Sequence, residues 1–290
     1  MNDQANEIPI EAWNTILFEK FVRFRHIVTN GLAKHGEQAL RERPYAPGDH
    51  VLDIGCGFGD TTLAIGGQVT ASGRAVGVDC AENFVAVASK EAAEAGLQNV
   101  SYFVADVQGD DLRGPYDHAF ARFGTMFFNL PGAALRNICR ALKTGGSFTM
   151  VVWRKREDNP WVHEAEQVAR AIVPVVAHDD TDQVHCGPGP FSMAGADLVS
   201  DLLKSSGFGD ISFRRYDCDI CLGADMNEAL SAAMELGPTG EIIRLAGAEG
   251  ERLRPAVADA LRSHFARLRH DDGSIWGASS SWIVRSKRMN

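Results

Sequence analysis

The chain has 290 residues, enough for one large domain or for a core of about 200 residues with added segments. With 45% hydrophobic and 8% aromatic residues it has the composition of a globular protein, and no stretch approaches the ~18–20 uninterrupted apolar residues of a membrane helix. The formal net charge of −9, with no run of lysine and arginine that suggests a basic face, disfavours a nucleic-acid binder without excluding a local basic patch.

The chain is predicted to open with a helix. Apolar residues recur there three or four positions apart, which places them on one helical face: Trp13, Leu17, Phe21, Phe24 and Val28. Asn30-Gly31 is expected to interrupt this helix, and a second short helix is expected to run as far as Arg43. We therefore assign residues 1–45 to an N-terminal helical lid segment.

From residue 50 onward, short apolar strands alternate with helices. The strands are predicted at 51–54, 75–79, 100–105, 118–122 and 147–153. One helix begins near Asp60, the next ends near Gly96, and another opens at Pro131 and ends at Gly145-Gly146. Four consecutive strand–helix units predict a parallel sheet with helices on both faces, and such sheets bind ligands outside the carboxyl ends of their strands.

Beyond Trp153 this alternation breaks and later resumes. A helix that ends at Gly207 and a strand near 211–216 are followed by a helical stretch from Met226, which Gly237-Pro238 splits. A longer helix is predicted over 253–268, and a last strand at 281–284. We expect residues 46–290 to form one domain with cap insertions at about 155–193 and 222–272.

A glycine-rich loop directly follows the first predicted strand. Gly55, Gly57 and Gly59 form G-x-G-x-G, and Asp53 lies two residues before the first glycine. This spacing differs from the G-x-G-x-x-G of dinucleotide-binding loops, whose helix N-terminus holds a pyrophosphate. An acid on the strand would repel a pyrophosphate but suits a cofactor that carries an ammonium group. The alternative is a strand–turn–helix corner without a ligand.

Two further acids end the second and third predicted strands. Asp79 is placed to accept hydrogen bonds from both hydroxyls of a ribose, and its alternative role is to stabilise the turn. Asp106 is placed to accept from an adenine amino group, with the Val107 amide as a donor to the ring. The alternative for Asp106 is a cap for the loop that follows it.

These motifs, together with residues 121–124, resemble those of the class I Rossmann-like methyltransferases that depend on S-adenosyl-L-methionine (SAM). Within that class the chain is similar to the small-molecule branch typified by the methyltransferases of ubiquinone and menaquinone biosynthesis. Residues 122–128, 153–154, 159–161 and 187–191 extend this similarity. The resemblance implies a doubly wound, mostly parallel seven-stranded α/β sheet with a helical cap. It also implies methyl transfer from SAM to an O, N, C or S atom of a small, partly apolar molecule, leaving S-adenosyl-L-homocysteine (SAH).

The same resemblance implies which residues contact the cofactor, carried over by position. They are Asp53, Gly55, Cys56, Gly57, Gly59, Thr62, Asp79, Cys80, Phe84, Asp106, Val107 and Arg122. Asp53 and the glycines would surround the methionine part, Asp79 the ribose, and the backbone at Arg122 the ammonium group. Asp79-Cys80-Ala81 departs from the family, in which a small hydroxyl-bearing segment often follows the acid, so the adenosine edge is less well defined than the glycine loop.

A substrate pocket is predicted from aromatic residues, which favour a cationic methyl group by cation–π contact: Trp13, Phe123, Phe127, Trp153 and Trp161. For Trp13, core packing is an equally good interpretation. A general base is needed only where the acceptor arrives protonated, and His163 is the candidate, followed by His185. Surface or structural roles are the alternatives for both histidines.

Other functions remain open at this point. A nicotinamide oxidoreductase is disfavoured by the glycine spacing and by Asp53, whereas an RNA or protein methyltransferase or a non-catalytic SAM-binding protein would share the cofactor motifs. The six cysteines lack metal-ligand spacing, and the first residues lack a basic segment followed by an apolar one. We therefore expect a cytoplasmic monomer or homodimer with a small-molecule substrate and without metal, nucleic acid or membrane insertion.

Overall fold

A single seven-stranded sheet runs through this computed structural model, which describes residues 7–174 and 187–290. Its strands are β1 (His50–Ile54), β2 (Arg74–Asp79), β3 (Val100–Val104), β4 (Tyr116–Arg122), β5 (Leu142–Trp153), β6 (Phe208–Gly223) and β7 (Ile275–Arg288). Their order is β3-β2-β1-β4-β5-β7-β6, and only the pairs that involve β7 are antiparallel. The predicted mostly parallel, doubly wound sheet is confirmed.

Helices cover both faces of this sheet. They are α1 (Glu7–Asn14), α2 (Ile16–Arg23), α3 (Leu32–Glu42), α4 (Asp60–Val69), α5 (Glu82–Glu94), α6 (Pro131–Ala141), α7 (Pro160–Ile172), α8 (Ala196–Ser205), α9 (Met226–Leu236), α10 (Pro238–Leu245) and α11 (Gly247–Phe265). Side chains of α3 and α4 pack on one face, and those of α6 and α8 on the other. Helices α7 and α9–α11 form a second hydrophobic cluster with the end of β6. None of the helices described here has the length and hydropathy to cross a membrane.

The opening helix is not continuous, which corrects the sequence prediction. Thr15 separates α1 from α2, and the chain then forms a π-helical turn over Ile27–Gly31. Asn30 and Gly31 therefore lie within a helical turn instead of interrupting one. Gly31 is needed there because a Cβ atom would stand 2.8 Å from the carbonyl oxygen of Cys221 on β6.

Two other boundaries differ from the prediction. In the described residues 105–115 no helix connects β3 to β4, so the region from β1 to β5 has three strand–helix units instead of the four predicted. The intervening loop is instead held by side chains, since Asp110 Oδ2 accepts from the Asp106 amide and Asn137 donates to the Asp110 carbonyl. Gly145 and Gly146 lie inside β5, because α6 already ends at Ala141.

Candidate active site

One cavity opens at the carboxyl ends of β1, β2, β4 and β5. Nine of the twelve cofactor residues implied by the sequence line it: Gly55, Cys56, Gly57, Asp79, Cys80, Phe84, Asp106, Val107 and Arg122. All five aromatic residues of the predicted substrate pocket also line it: Trp13, Phe123, Phe127, Trp153 and Trp161. Asp53, Gly59 and Thr62 do not reach the cavity surface.

The loop after β1 is shaped by its glycines. Gly55, Gly57 and Gly59 have φ values of 63°, 52° and 82°, a left-handed region in which L side chains are strained. Gly59 is also sterically required, because a Cβ atom there would lie 2.5 Å from the Tyr102 hydroxyl. At Gly55 the nearest atom is the Cα of Gly124, so two loops meet backbone to backbone at the cavity edge.

Asp79 connects the ends of β1 and β2. Its Oδ2 accepts a hydrogen bond from the Gly57 amide at 3.0 Å, and its Oδ1 accepts from the Ala81 amide at 3.0 Å. Burial raises the pKa of this carboxyl, while the two amides oppose the shift. Cys80 also hydrogen-bonds this carboxyl through its amide and its thiol, so binding of ribose hydroxyls would share the Asp79 oxygens with these loop donors.

Asp53 lies behind the loop and is 2% exposed. Its Oδ2 accepts from the Thr62 hydroxyl at 2.6 Å. Burial raises the pKa of Asp53 to about 7, against the opposing effects of the Thr62 hydrogen bond and the Arg122 charge. Asp53 therefore acts on the cavity through its field and through α4, and not by lining it.

Asp106 combines the two roles that the sequence left open. Its side chain lines the cavity, and its Oδ1 also accepts from the Gln108 amide at 3.0 Å, as a loop cap does. Gln108 lines the cavity too and joins Asp106 to the start of α6, because its Oε1 accepts from the Leu130 amide. Sequence reasoning missed Gln108, since a glutamine in a loop carries no motif.

Arg122 contributes its side chain as well as its backbone. The guanidinium forms an ion pair with Asp60 at 2.7 Å, and both residues line the cavity. Gly36 on α3 leaves the space for this arginine, because a Cβ atom there would stand 2.8 Å from the Arg122 Cδ. Asp60 was not predicted, although its position at the first turn of α4 follows from the glycine loop.

Phe123 and Trp153 form the aromatic wall of the cavity. Their rings stack with centroids 4.0 Å apart and an interplanar angle of 18°. Phe123 has a φ of 57°, a strained conformation for a residue with a side chain, and such strain persists only where the surroundings enforce it. The buried His35 ring contacts both aromatic rings edge-on from behind, with centroid distances of 5.6 Å and 5.1 Å.

The N-terminal helices reach the cavity through Trp13. Its indole packs against Phe21, Phe84 and Phe127, with centroids 5.3, 6.4 and 5.2 Å away. Since Phe84 follows the end of β2, one aromatic cluster joins α1 and α2 to the cofactor loops. Trp13 therefore both lines the cavity and packs, so its two interpretations are compatible.

Ionisable side chains lie at one end of the cavity. Those among its described lining residues lie at the strand ends or within the first residues that follow them: Cys56, Asp60, Asp79, Cys80, Asp106 and Arg122. Burial raises the pKa values of Cys56 and Cys80, which keeps both as neutral thiols. His163 is not among the described lining residues, so its role as a base stays a prediction without geometric support, and His185 lies outside the described residues.

Comparisons with known proteins agree with this geometry. Residues 51–146 match the family model of a methyltransferase domain. The chain is similar to demethylmenaquinone methyltransferase of Shouchella clausii, at 25% identity over 64% of this chain and 81% of that protein. It is similar to nocamycin O-methyltransferase of Saccharothrix syringae, at 31% identity over 63% of this chain and 67% of that protein. Its fold is similar to that of YcgJ from Bacillus subtilis, with a TM-score of 0.58 and 19% identity over 89% of this chain and 99% of that one.

Proposed function

Because the chain belongs to the class I SAM-dependent methyltransferases, we propose that its methyl acceptor is a compact, largely apolar molecule. The reacting atom is the oxygen or carbon of an acidic phenol or enol. SAM is the cofactor, and the loops after β1, β2 and β3 fit it. They offer left-handed glycines, the Asp79 carboxylate at the end of β2, and Asp106 beside an amide donor.

The composition of the cavity wall carries this proposal. The described lining residues from the N-terminal helices and from the inserted segments bear no charged side chain. Among them only threonines, Thr29 and Thr239, offer a hydroxyl. Small-molecule sites have this character, with apolar walls and few polar groups, whereas a nucleic-acid substrate requires basic side chains at the mouth.

The same wall limits the chemistry of the acceptor. SAM supplies a methyl group that is already activated, so the demand on the protein is mainly to orient the acceptor, which is worth ~7–11 kcal/mol in favourable cases. Among the described residues of the acceptor side no histidine, lysine or carboxylate is available to take a proton. An acidic phenol or an enol ionises without such help. Phe123 and Trp153 present flat faces against which a planar acceptor stacks.

The test is turnover with chemically distinct acceptors, followed by SAH formation. One set contains 7-hydroxycoumarin and a cyclic 1,3-diketone, and the other contains ethanolamine and unmodified tRNA. We expect SAH only with the first set, at a rate that rises with pH as the acceptor ionises. Faster turnover of ethanolamine or tRNA contradicts the proposed function.

We also propose that the reaction takes place in the cytoplasm. The five cysteines among the described residues, including Cys56 and Cys80 at the cavity, are free thiols. A reducing compartment preserves thiols in this state.

A further inference from the structure

The cavity continues beyond its aromatic wall into the inserted helices. We call this part the rear compartment, and it is lined by Ala165 of α7, Ile220 and Leu222 of β6, Ala229 and Ala233 of α9, and Phe265 of α11. Most of these residues also belong to the second hydrophobic cluster, which α7, α9–α11 and the end of β6 share. The rear compartment is thus an unfilled space inside an apolar cluster that the cofactor loops do not touch.

Trp161 and Leu32 mark the passage between the two parts of the cavity. Both pack against the core of the sheet and against the second cluster, and both line the cavity. The Trp161 ring lies 5.8 Å from that of Trp153, centroid to centroid, so the front wall leads directly into the passage. The backbone of β7 supports Trp161 from behind, because a Cβ atom on Gly277 would stand 2.6 Å from the Trp161 Cβ.

Protein interiors are packed as densely as organic crystals, so open apolar space that connects with an active site is space for a ligand. The ligand group must be uncharged, because the described lining residues of α7, α9 and α11 include no lysine, arginine, histidine or acid. Thr239 lies nearby, but its hydroxyl proton is directed to the Ala165 carbonyl at 3.3 Å. What fits this space is an alkyl chain or a second apolar ring.

We propose, on the basis of the proposed function, that the methyl acceptor has two parts. Its reacting ring lies against Phe123 and Trp153, and an uncharged apolar arm passes Trp161 into the rear compartment. The arm contributes binding energy remote from the reacting atom, and such energy positions the reactive end of a substrate.

The experiment measures binding of a homologous series, from phenol to 4-heptylphenol, by calorimetry in the presence of SAH. We expect affinity to rise by up to about fourfold per methylene, the equivalent of ~0.8 kcal/mol, until the compartment is full.

Ala233→Leu should abolish the gain in affinity for the longer members of the series while leaving the affinity for phenol itself unchanged. Leu236, the last residue of α9, also lines the cavity, so Leu236→Ala should extend the gain to longer chains. This second variant tests the same space if Ala233→Leu folds poorly. Ala256→Leu, at an exposed position on α11, is the matched control.

The outcomes separate this inference from the proposed function. Three results would each overturn the rear compartment as a binding site. They are an affinity that does not change with chain length, a length dependence that both variants leave intact, and no binding by any member of the series. Methyl transfer to phenols despite a flat series leaves the proposed function standing. A steep series, together with no SAH formation from 7-hydroxycoumarin or the cyclic 1,3-diketone, supports the rear compartment and overturns the proposed function.

Discussion

At the scale of single residues, the carboxylates at the strand ends accept hydrogen bonds from the protein itself. Asp79 holds the Gly57 and Ala81 amides, and Asp53 holds the Thr62 hydroxyl. The cost of burying these acids is therefore met partly by hydrogen bonds within the loop. A substitution at either position acts on loop geometry and on cofactor binding, and the two effects must be measured separately.

Asp79→Asn is expected to weaken binding of SAH without unfolding the protein. The amide keeps the size of the side chain but loses the charge and one acceptor, and a lost charged hydrogen bond is worth roughly 1.5–3 kcal/mol, or about 10–150-fold in affinity. Calorimetry with SAH, paired with a thermal melt, measures both effects. Asp201→Asn, on an exposed aspartate of α8, is the control. Unchanged affinity with a lower melting temperature would make Asp79 a purely structural cap.

The raised pKa of Asp53 predicts a pH-dependent stability. Burial raises this pKa from 3.8 to about 7, so between these values the folded protein keeps a proton that the unfolded chain has released. The contribution of Asp53 to the free energy of unfolding therefore falls as pH rises through this window, by up to ~4 kcal/mol, and is constant above it.

Asp53→Asn removes that titration. In urea unfolding of the ligand-free protein at pH 4.5, 6 and 7.5, the variant should gain stability relative to the natural chain as pH rises. Other groups, including His35, titrate equally in both proteins and cancel in the difference. A stability difference that does not change with pH contradicts the raised pKa.

At the scale of elements, the sequence best predicts those structural units whose conformation is determined by residues close together in the chain. The β1–loop–α4 unit is encoded within residues 50–69, because the strand, the left-handed glycines and the helix start are contiguous. The carboxyl ends of parallel strands meet at one edge, so the acids at 79 and 106 could be assigned to the same cavity from the alternation alone.

Contacts between distant elements could not be predicted in this way. His35 is one polar residue in a helical pattern, and nothing local indicates that it faces Ser279 and Ser281, more than 240 positions away. The rear compartment depends likewise on how α7, α9 and α11 pack, which hydrophobic periodicity does not specify. The π-helical turn brings Gly31 against the backbone of β6, a contact that is equally invisible in the sequence.

The hydrogen bonds of His35 connect α3 to β7. The Ser279 hydroxyl donates to the Cys218 carbonyl, so His35 Nε2–H donates to Ser279 and Nδ1 accepts from the Ser281 hydroxyl. Burial lowers the pKa of His35 to about 4, which keeps the ring neutral at pH 7. A neutral ring in a fixed tautomer satisfies both serines and supports the Phe123–Trp153 wall.

His35→Phe should therefore lower the free energy of unfolding by roughly 1–3 kcal/mol, since it leaves buried hydroxyls unpaired. If the Phe123–Trp153 wall binds the acceptor as we propose, the variant should also raise KM for the acceptor, because the wall loosens, while the affinity for SAH stays the same. His35→Gln, which can donate and accept, should restore part of both losses. The exposed His50→Phe is the control. Equal weakening of acceptor and SAH binding would assign His35 to general stability alone.

At the scale of the whole molecule, the segment from α1 to the π-helical turn contacts both the loops on the proposed cofactor side and a helix on the proposed acceptor side. On the cofactor side, Arg25 Nη2 forms an ion pair with Glu91 of α5 at 2.6 Å, and Asn83 donates to the Asn14 carbonyl. On the acceptor side, Arg23 contacts Glu235 of α9 at 2.7 Å. The interpretation of residues 1–45 as a lid stays a prediction, and these contacts would couple such a lid to both sides of the cavity.

Hydrogen exchange should show that SAH and an acceptor analogue protect different segments of the chain. Since α1 and α2 pack on Phe84, SAH alone should slow exchange in residues 10–28, by about tenfold for each ~1.4 kcal/mol of added local stability. Residues 160–172 and 226–245 contact the cofactor loops little, so their protection should require an acceptor analogue such as 4-heptylphenol. Arg25→Ala should remove the effect of SAH on residues 10–28, whereas Arg252→Ala, which breaks only a local pair with Glu249, should not. Exchange in residues 10–28 that is the same with and without SAH would show that the N-terminal helices are a fixed wall, and acceptor entry would then depend on α7 and α9 alone.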